Sequence, residues 1–519
     1  VDNFADLKSA DGLRVAAEIT TDAKVIPTLV SRRLAEGADL IDAFRDTVAG
    51  FEGSVAIGAS AASSPEQLLF ALRGSGQALY VGLADGCYVV ASEPYGLVEL
   101  TDTYLRMDGE TPANPENPNA SRGQIVLLDG RQAGTLQGIV RQAYDGTELP
   151  VSEADLQQAQ VTTRDIDRGD YPHFLLKEIT EAPTSFRKTL RGKLVDHGNG
   201  PEVSLGDDVL SPAVREGLRS GRIGRVQVIG QGTAHVAGQS LTSALIEAAP
   251  DGRLRVDALP ATELSGFGLR SDMSDTLVIA ISQSGTTTDT NRTVDLARSR
   301  GATVVSIVNR RGSDLTDKSD GVLYTSDGRD VEMSVASTKA FYAQIAAGFL
   351  LAWAIAQEVG GVVDQSLVEA LRDLPALMEA TVARRAGIAT AAQQLAPSKR
   401  YWAIVGNGPN RVAAEELRIK LSELCYRSIA CDATEDKKHI DLSCEPLILV
   451  CAAGLVGSTA DDVAKEVAIY RAHKASPIVI ASDGQERFAA ALHVISVPAV
   501  HPRLGFVLTA VAGHLFGYE

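Results

Sequence analysis

A strand–turn–helix pattern that occurs twice in the chain constrains the fold most strongly. Residues 225–234 (RVQVIGQGTA) and 401–410 (YWAIVGNGPN) each combine an apolar run, a G-x-G turn and the start of a helical segment. Alternating strands and helices predict parallel, doubly wound sheets, and the repetition predicts an internal duplication. Further apolar runs follow at matching places, LVIAISQSG (277–285) and ATVVSIVNR (302–310) in the first copy, ILVCAAG (448–454) and SPIVIASDG (476–484) in the second.

Hydroxyl side chains cluster directly after the predicted strand at 277–281. The segment 282–288 reads SQSGTTT and leads into a helical pattern. A helix N-terminus offers free N–H groups and the positive end of the helix dipole, and Ser and Thr add donors for a phosphate oxygen. Gly285 lets the backbone approach a ligand closely. The segment therefore predicts a phosphate-binding loop, with a serine-rich helix cap as the alternative interpretation.

Size, charge and composition exclude several classes of function. The 519 residues predict about three domains of roughly 150 residues each. The net charge of −17 argues against a nucleic-acid partner, and the apolar runs are too short to span a membrane. The five cysteines form no C-x-x-C pair, which fits reduced thiols in a cytoplasmic protein. No cluster has metal-ligand spacing and neither G-x-G turn completes a dinucleotide motif, so we expect no metal or other cofactor.

Four stretches, taken in order, carry a resemblance to one family. They are DIDRGDYPHFLLKEITEAP (165–183), GQGTAH (230–235), SQSGTTTDT (282–290) and VASTKAF (335–341). Together they resemble the glutamine–fructose-6-phosphate aminotransferases, the isomerising enzymes that make glucosamine 6-phosphate. The pairing of SQSG with a later VASTKAF is the most specific part of this resemblance, which covers nearly the whole chain.

The resemblance implies an α/β protein in four parts. Residues 1–165, whose short β-branched runs predict strands in hairpins, would be a class II glutamine amidotransferase-like domain, an Ntn-type α+β sandwich whose N-terminal part is missing. Residues 166–210 would be a linker. Residues 211–384 would be a first SIS (sugar-isomerase) domain that binds the sugar phosphate. Residues 385–519 would be a second SIS domain that carries the isomerase residues and lacks the C-terminal tail. SIS domains usually pair, so we expect a homodimer or a higher homo-oligomer.

The resemblance also implies two binding sites. Asp22 would hold the α-ammonium group of glutamine, although it could equally cap the helix that begins at Ala23. Ser337 could likewise cap the helix that follows it. Carried over position by position, the sugar-phosphate site would consist of Thr233, Ser282, Gln283, Ser284, Thr287, Val335 and Ser337.

Three residues of the second SIS domain would be catalytic by the same resemblance. Glu423 would transfer the proton between two sugar carbons, His439 would open the sugar ring, and Lys420 would lie near the substrate. In the family the sugar site borrows a histidine from the partner subunit. From the residues alone, Lys420 and Glu423 share a helix face and would make an ordinary surface ion pair just as well.

Departures from the family pattern leave alternatives open. Ala234 stands where the family has a serine, Thr286 where it has a glutamate, and Ser422 where it has a lysine. The family's N-terminal cysteine nucleophile and its Schiff-base lysine fall outside this sequence. The leading hypothesis is an enzyme that binds fructose 6-phosphate, or a related hexose phosphate, and takes nitrogen from glutamine. The alternatives are an ammonia-dependent sugar-phosphate isomerase or deaminase with a vestigial glutaminase domain, and a non-catalytic sugar-phosphate-binding regulator.

Overall fold

The described part of the chain forms two compact units, Val1–Asp167 and Arg168–Glu519. The strand pairs described in the first unit are antiparallel, and those described in the two large sheets of the second unit are parallel. The computed structural model describes residues 1–10, 12–13, 18–74, 78–109, 123–196, 198, 200–334, 336–439 and 442–519.

Two antiparallel sheets form the first unit, in the strand orders β1-β2-β6-β7 and β4-β3-β5-β8. Alternate residues of the strands, such as Leu72, Val81 and Val126, point into one apolar core. Helices α2 and α3 place Leu29 and Phe44 in a second core with strands of the first sheet. This confirms the predicted α+β sandwich. Its elements are α1 (Phe4–Ala10), α2 (Val25–Ala35), α3 (Leu40–Ala49), β1 (Val55–Ala61), β2 (Ser64–Arg73), β3 (Ala78–Ala84), β4 (Cys87–Ala91), β5 (Thr103–Asp108), β6 (Gln124–Asp129), β7 (Ile139–Gln142), β8 (Leu156–Gln158) and α4 (Thr163–Ile166).

Two parallel sheets of five strands form the centre of the second unit. Their orders, β12-β11-β13-β14-β15 and β17-β16-β18-β19-β20, are the same when each is counted from its own first strand, as the predicted duplication requires. The elements are α5 (Phe174–Leu190), β9 (Leu194–Asp196), β10 (Pro201–Val203), α6 (Pro212–Ser220), β11 (Arg225–Gly230), α7 (Thr233–Ala248), β12 (Arg255–Pro260), α8 (Ala261–Glu263), β13 (Thr276–Ser282), α9 (Thr288–Arg298), β14 (Thr303–Val308), α10 (Asp314–Asp317), β15 (Gly321–Tyr324), α11 (Lys339–Glu358), α12 (Gln365–Val382), α13 (Arg385–Leu395), β16 (Trp402–Gly406), α14 (Asn410–Cys425), β17 (Ala430–Asp432), α15 (Thr434–Lys437), β18 (Leu447–Cys451), α16 (Gly457–Ala472), β19 (Ser476–Ser482), β20 (His493–Val497) and α17 (Gly505–Tyr518).

In each sheet the second strand lies on one side of the first strand and the third strand lies on the other side. The strand order therefore reverses between the first and third strands. In the first sheet Val228 of β11 pairs with Ala258 of β12 on one side and with Ile279 of β13 on the other. Ligands of such sheets bind in the crevice at the carboxyl ends of the two strands where the order reverses. The fold therefore directs attention to the segments after β11 and β13, which are those that carry Thr233 and the predicted phosphate loop.

One helix of the second unit, α11, is apolar on all sides and almost completely buried. It is also the one described helix that is long and apolar enough to cross a membrane, and 94% of its most apolar window is buried inside the unit. It packs on α7 and α5 and belongs to a single apolar core that includes residues of both sheets. Such a helix is the central layer of the unit.

Helix α5 occupies part of the segment predicted as a linker. Leu176, Ile179, Ala182 and Phe186 recur three or four positions apart, and this stripe is buried against α11 and α12. Residues 174–190 are thus a core helix of the second unit. A short antiparallel hairpin, β9 and β10, follows within the Gly-rich part of the same segment. The bounds of the four predicted parts stay a prediction.

Candidate functional site

The predicted phosphate loop lies at the carboxyl end of β13, beside the point where the strand order reverses. β13 ends at Ser282, and Thr287 is the N-cap residue of α9. Ser282 Oγ accepts a hydrogen bond from the N–H of Gly285 at 2.9 Å and lies 3.3 Å from Thr287 Oγ1. The loop therefore brings together two of the hydroxyl groups that the sequence assigned to the sugar phosphate.

Hydrogen bonds within the loop fix its remaining residues. Ser284 Oγ contacts the N–H of Thr286 at 3.2 Å and Thr286 Oγ1 at 3.0 Å. The buried amide of Asn291 donates to the carbonyl oxygens of Gly285 and Thr287 at 3.1 Å each. The carbonyl oxygen of Gln283 accepts from two N–H groups at the end of β14. The loop is therefore ordered before any ligand arrives, which lowers the entropic cost of binding.

Gly285 makes this loop conformation possible. Its φ of +67° lies in the left-handed region, and a Cβ built there would lie 1.9 Å from Ser313 Oγ and 2.6 Å from Ser313 Cβ. Any side chain would have to displace the segment that precedes α10. The sequence predicted that the backbone at Gly285 would approach a ligand closely. In this structure the group that lies close to Gly285 is the side chain of Ser313.

Thr233 opens α7 directly after β11 and is 7% exposed. Its hydroxyl is among the groups that lower the pKa of Glu416, which belongs to α14 of the second sheet. Ala234, the next residue, has no hydroxyl to offer. Thr233 thus begins a helix at the strand-reversal point of the first sheet, and that helix packs on α14, which carries Lys420 and Glu423.

A buried cluster of charged side chains includes residues of α14. Glu416 is fully buried, with Lys420 Nζ 3.8 Å and His514 Nε2 3.4 Å from its Oε1. Burial alone would raise the pKa of Glu416, but Lys420, His514 and the Thr233 hydroxyl outweigh it and hold the pKa below its usual value. A buried carboxylate held in this way stays ionised and keeps the Lys420 ammonium beside it.

His514 joins the cluster from α17, and Tyr342 of α11 supports it. Tyr342 OH lies 2.8 Å from His514 Nδ1, and burial lowers the pKa of this histidine. A neutral imidazole has one donor and one acceptor nitrogen. With Tyr342 donating to Nδ1, the ring hydrogen lies on Nε2, the nitrogen that is 3.4 Å from Glu416 Oε1. The cluster is therefore built by helices of both halves of the duplication.

Glu423 lies in the last turn of α14, where the helix dipole disfavours a carboxylate. Its Oε2 is 3.4 Å from Lys420 Nζ, and its side chain is 53% exposed, whereas that of Lys420 is 2% exposed. Lys420 thus stands between one buried carboxylate, Glu416, and one accessible carboxylate, Glu423. From the sequence alone, Lys420 and Glu423 could have formed an ion pair on the surface. In the structure the pair is half-buried, because the Lys420 side chain is buried.

His439 lies just after α15. Its side chain is 71% exposed, with Nε2 3.8 Å from Glu435 Oε1. It lines a cavity of about 470 Å³ together with Lys438, His473 and Lys474. Among the described residues, the ion-pair partner of His439 is Glu435, which belongs to the same segment.

The loop before α11 carries Ser337, and Val335 lies outside the described residues. Ser337 Oγ donates to Glu332 Oε2 at 3.0 Å. Glu332 Oε1 accepts from the N–H groups of Thr338 and Ala340 at 2.8 Å each. Glu332 therefore caps α11 from within the loop, in the role that the sequence offered to Ser337.

Asp22 belongs to the first unit. It begins a short 3₁₀ turn whose N-cap is Thr21. Thr21 takes the capping role considered for Asp22, since its hydroxyl accepts from the N–H of Ala23.

Comparison with known proteins identifies the family. Residues 222–354 match the SIS domain family. The glutamine–fructose-6-phosphate aminotransferase of Streptomyces coelicolor is 30% identical over 535 residues, which span 100% of this chain and 80% of that protein. The chain belongs to the isomerising glutamine–fructose-6-phosphate aminotransferase family. A family member from Thermus thermophilus is likewise 30% identical over 537 residues, 100% of this chain and 79% of its own. The resemblance read from the sequence is confirmed.

Solved structures support the fold of the second unit. The C-terminal domain of the Francisella tularensis glucosamine-fructose-6-phosphate aminotransferase superposes with a TM-score of 0.60 at 22% identity, covering 68% of this chain and 96% of that one. The tagatose-6-phosphate ketose/aldose isomerase of Escherichia coli gives a TM-score of 0.53 at 19% identity, covering 66% and 93%. Both likenesses concern the arrangement of sheets and helices, and they agree with the two doubly wound sheets predicted.

Sequence reasoning missed Glu416, His514 and Tyr342. A signal existed for two of them. Glu416 precedes Lys420 by four residues, the spacing of a helical ion pair. His514 is the one basic residue of the apolar helix α17. Their meeting across 98 positions of the chain follows from the packing of α14 on α17, which no local pattern reveals.

Proposed function

We propose that this protein catalyses the conversion of fructose 6-phosphate to glucosamine 6-phosphate with nitrogen taken from glutamine. In atoms, glutamine and water give glutamate and ammonia, and ammonia and fructose 6-phosphate give the amino sugar and water. One observation supports this proposal above the others. Lys420 and Glu423 lie together on α14 of the second sheet, and α14 packs on α7, which begins with Thr233 at the strand-reversal point of the first sheet.

The phosphate would bind in the loop 282–287. Ser282, Ser284 and Thr287 supply hydroxyl donors at the N-terminus of α9, where the helix dipole favours an anion. Gln283 would orient the sugar from the same loop, and Ser337 with Val335 would approach it from the loop before α11. Because Thr286 replaces the family's glutamate, this loop has no carboxylate of its own to repel the phosphate.

The proton chemistry would use Glu423. Isomerisation moves a proton between two adjacent carbons, so it needs a base that can reach the substrate and return the proton. Glu423 is accessible for this task, while Lys420 stays buried against Glu416. The ammonium of Lys420 would stabilise the negative charge that develops on the sugar oxygen as the proton leaves.

Ring opening would use His439, and the exposure of its side chain favours action across a subunit interface. A histidine that lines a cavity with two lysines could meet an anionic substrate bound by a second copy of the chain. We propose a homodimer on this ground. Glutamine would bind in the first unit, with Asp22 holding its α-ammonium group.

A coupled assay of the full-length protein tests the proposal. Glutamate and glucosamine 6-phosphate are measured separately after incubation with fructose 6-phosphate and either glutamine or ammonium. The proposal predicts both products with glutamine. Amino sugar from ammonium alone would support the ammonia-dependent alternative, and binding without hexosamine from either nitrogen source would support the regulator.

A further inference from the structure

A carboxyl group outside the SIS match holds the loop that precedes α11. Glu178, a buried residue of α5, has its Oε1 2.7 Å from the N–H of Met333 and 2.9 Å from that of Ser334. Its Oε2 makes a short contact with Ser334 Oγ. These three contacts join residues 155 and 156 positions apart in the chain, and they fix two consecutive backbone groups of the loop.

The hydrogens available to this group indicate its protonation state. Ser334 Oγ also lies 3.1 Å from the carbonyl oxygen of Ala336, which can only accept. A hydroxyl has a single hydrogen, so it cannot donate to both Ala336 and an ionised Glu178. If Glu178 is a neutral acid, its Oε2–H donates to Ser334 Oγ, which then donates to Ala336, while Oε1 accepts the two N–H groups. The neutral acid satisfies every contact.

The electrostatic surroundings favour the same state. Burial, with a smaller contribution from the Glu332 carboxylate, raises the pKa of Glu178 to about 7, although the three loop contacts oppose the shift. The lysines near Glu178 contact a different carboxylate. Lys339 and Lys177 both contact Glu181, one turn further along α5. Asp330 contacts Ser185 of α5 and lies 4.0 Å from Lys188.

We propose that Glu178, as a neutral carboxylic acid, is the positioning residue that fixes Met333 and Ser334 in the loop assigned to the sugar phosphate. This inference rests on the proposed function, because that proposal assigns Ser337 and Val335 of this loop to the sugar. Glu178 does not touch the substrate. It acts by holding the backbone on one side of Val335, while Glu332 holds Ser337 and Thr338 on the other.

If Glu178 is neutral, we expect the variants Glu178→Gln and Glu178→Ala to behave differently. Glutamine has the shape of a neutral glutamic acid, with one acceptor oxygen and an N–H donor in place of the acid O–H. Glu178→Gln should therefore keep the loop in place, whereas Glu178→Ala leaves the N–H groups of Met333 and Ser334 without their acceptor. Above pH 7 the wild-type residue ionises, Ala336 loses the Ser334 donor and keeps that of Thr338, and the new charge faces Glu332.

The experiment measures amide hydrogen exchange in 333–338 and the dissociation constant of fructose 6-phosphate, between pH 6 and pH 8, for the full chain. Glu379→Gln is the matched control, since Glu379 of α12 bonds Arg187 of α5 and is exposed. We expect Glu178→Ala to raise exchange in the loop and to weaken binding at least tenfold. Glu178→Gln and Glu379→Gln should resemble the wild type at pH 6.

The pH series separates positioning from a general loss of stability. The ratio of the wild-type to the Glu178→Gln dissociation constant should rise from pH 6 to pH 8, by at most about tenfold per pH unit above the pKa. Equal damage by the Gln and Ala variants, or unchanged exchange in Glu178→Ala, would overturn the inference. Amide exchange in the loop could rise in Glu178→Ala as expected while the wild type fails to bind fructose 6-phosphate. That result would refute the proposed function but would still support positioning of the loop by Glu178.

Discussion

Replacing Gly285 by alanine tests the geometry of the phosphate loop. The left-handed conformation costs an L-residue roughly 1–2 kcal/mol, partly offset by about 0.4–1 kcal/mol from the smaller entropy of the unfolded chain. The added Cβ would also meet Ser313 Oγ at 1.9 Å. Forcing one methyl group into such a packed site adds about 1–3 kcal/mol. We therefore expect Gly285→Ala to lower the free energy of unfolding of the second unit by about 2–4 kcal/mol.

Gly312→Ala is the matched control for this substitution. Gly312 has a φ of +60°, close to that of Gly285, but a Cβ there meets no atom within 4 Å. Only the backbone term, about 1 kcal/mol, should remain in this variant. Urea unfolding and the dissociation constant of fructose 6-phosphate are measured for both. Adding Ser313→Gly to Gly285→Ala should recover part of the loss. If the two alanine variants behave alike and both bind the sugar phosphate as the wild type does, the close approach at Gly285 has no role.

Three other substitutions follow from the site. Glu423→Gln should abolish formation of glucosamine 6-phosphate and change the dissociation constant of fructose 6-phosphate by only a few-fold; a parallel collapse of binding would make Glu423 structural. Lys420→Met leaves Glu416 buried without its main cation, so urea unfolding should show a loss of about 3–5 kcal/mol, and adding Glu416→Gln should restore part of it. Ser282→Ala removes a donor to the phosphate and the acceptor of the Gly285 N–H, and calorimetry should show binding weakened by about tenfold, near 1.4 kcal/mol; unchanged affinity would exclude Ser282 from the phosphate site.

The features that the sequence predicted are local ones. The predicted phosphate loop lies between a buried strand and a helix within 277–298, as periodicity indicated, and its ligand stays a prediction. The duplication was also visible, because each copy repeats a strand, a G-x-G turn and a helix.

What the sequence did not reveal depends on contacts between distant segments. Helix α5 has the stripe of a core helix, but it lies in the segment 166–210 that was predicted as a linker. Tyr342 and His514 meet across 172 positions, and Glu178 reaches Met333 across 155. A side chain that caps or holds a remote loop leaves no periodic signal in the chain. Such contacts decide the protonation state of Glu178 and the charge around Lys420, and these set how the proposed site works.

Transfer of labelled nitrogen from glutamine to the sugar is the decisive measurement of the proposed reaction. The full-length protein is incubated with fructose 6-phosphate, glutamine labelled with ¹⁵N at its side-chain amide, and an excess of unlabelled ammonium, and the product is examined by mass spectrometry. We expect the wild-type protein to form glucosamine 6-phosphate that carries the label. We expect the Glu423→Gln variant to form no glucosamine 6-phosphate. Hexosamine that carries only unlabelled nitrogen, or no hexosamine at all while fructose 6-phosphate binds, would contradict the proposed reaction.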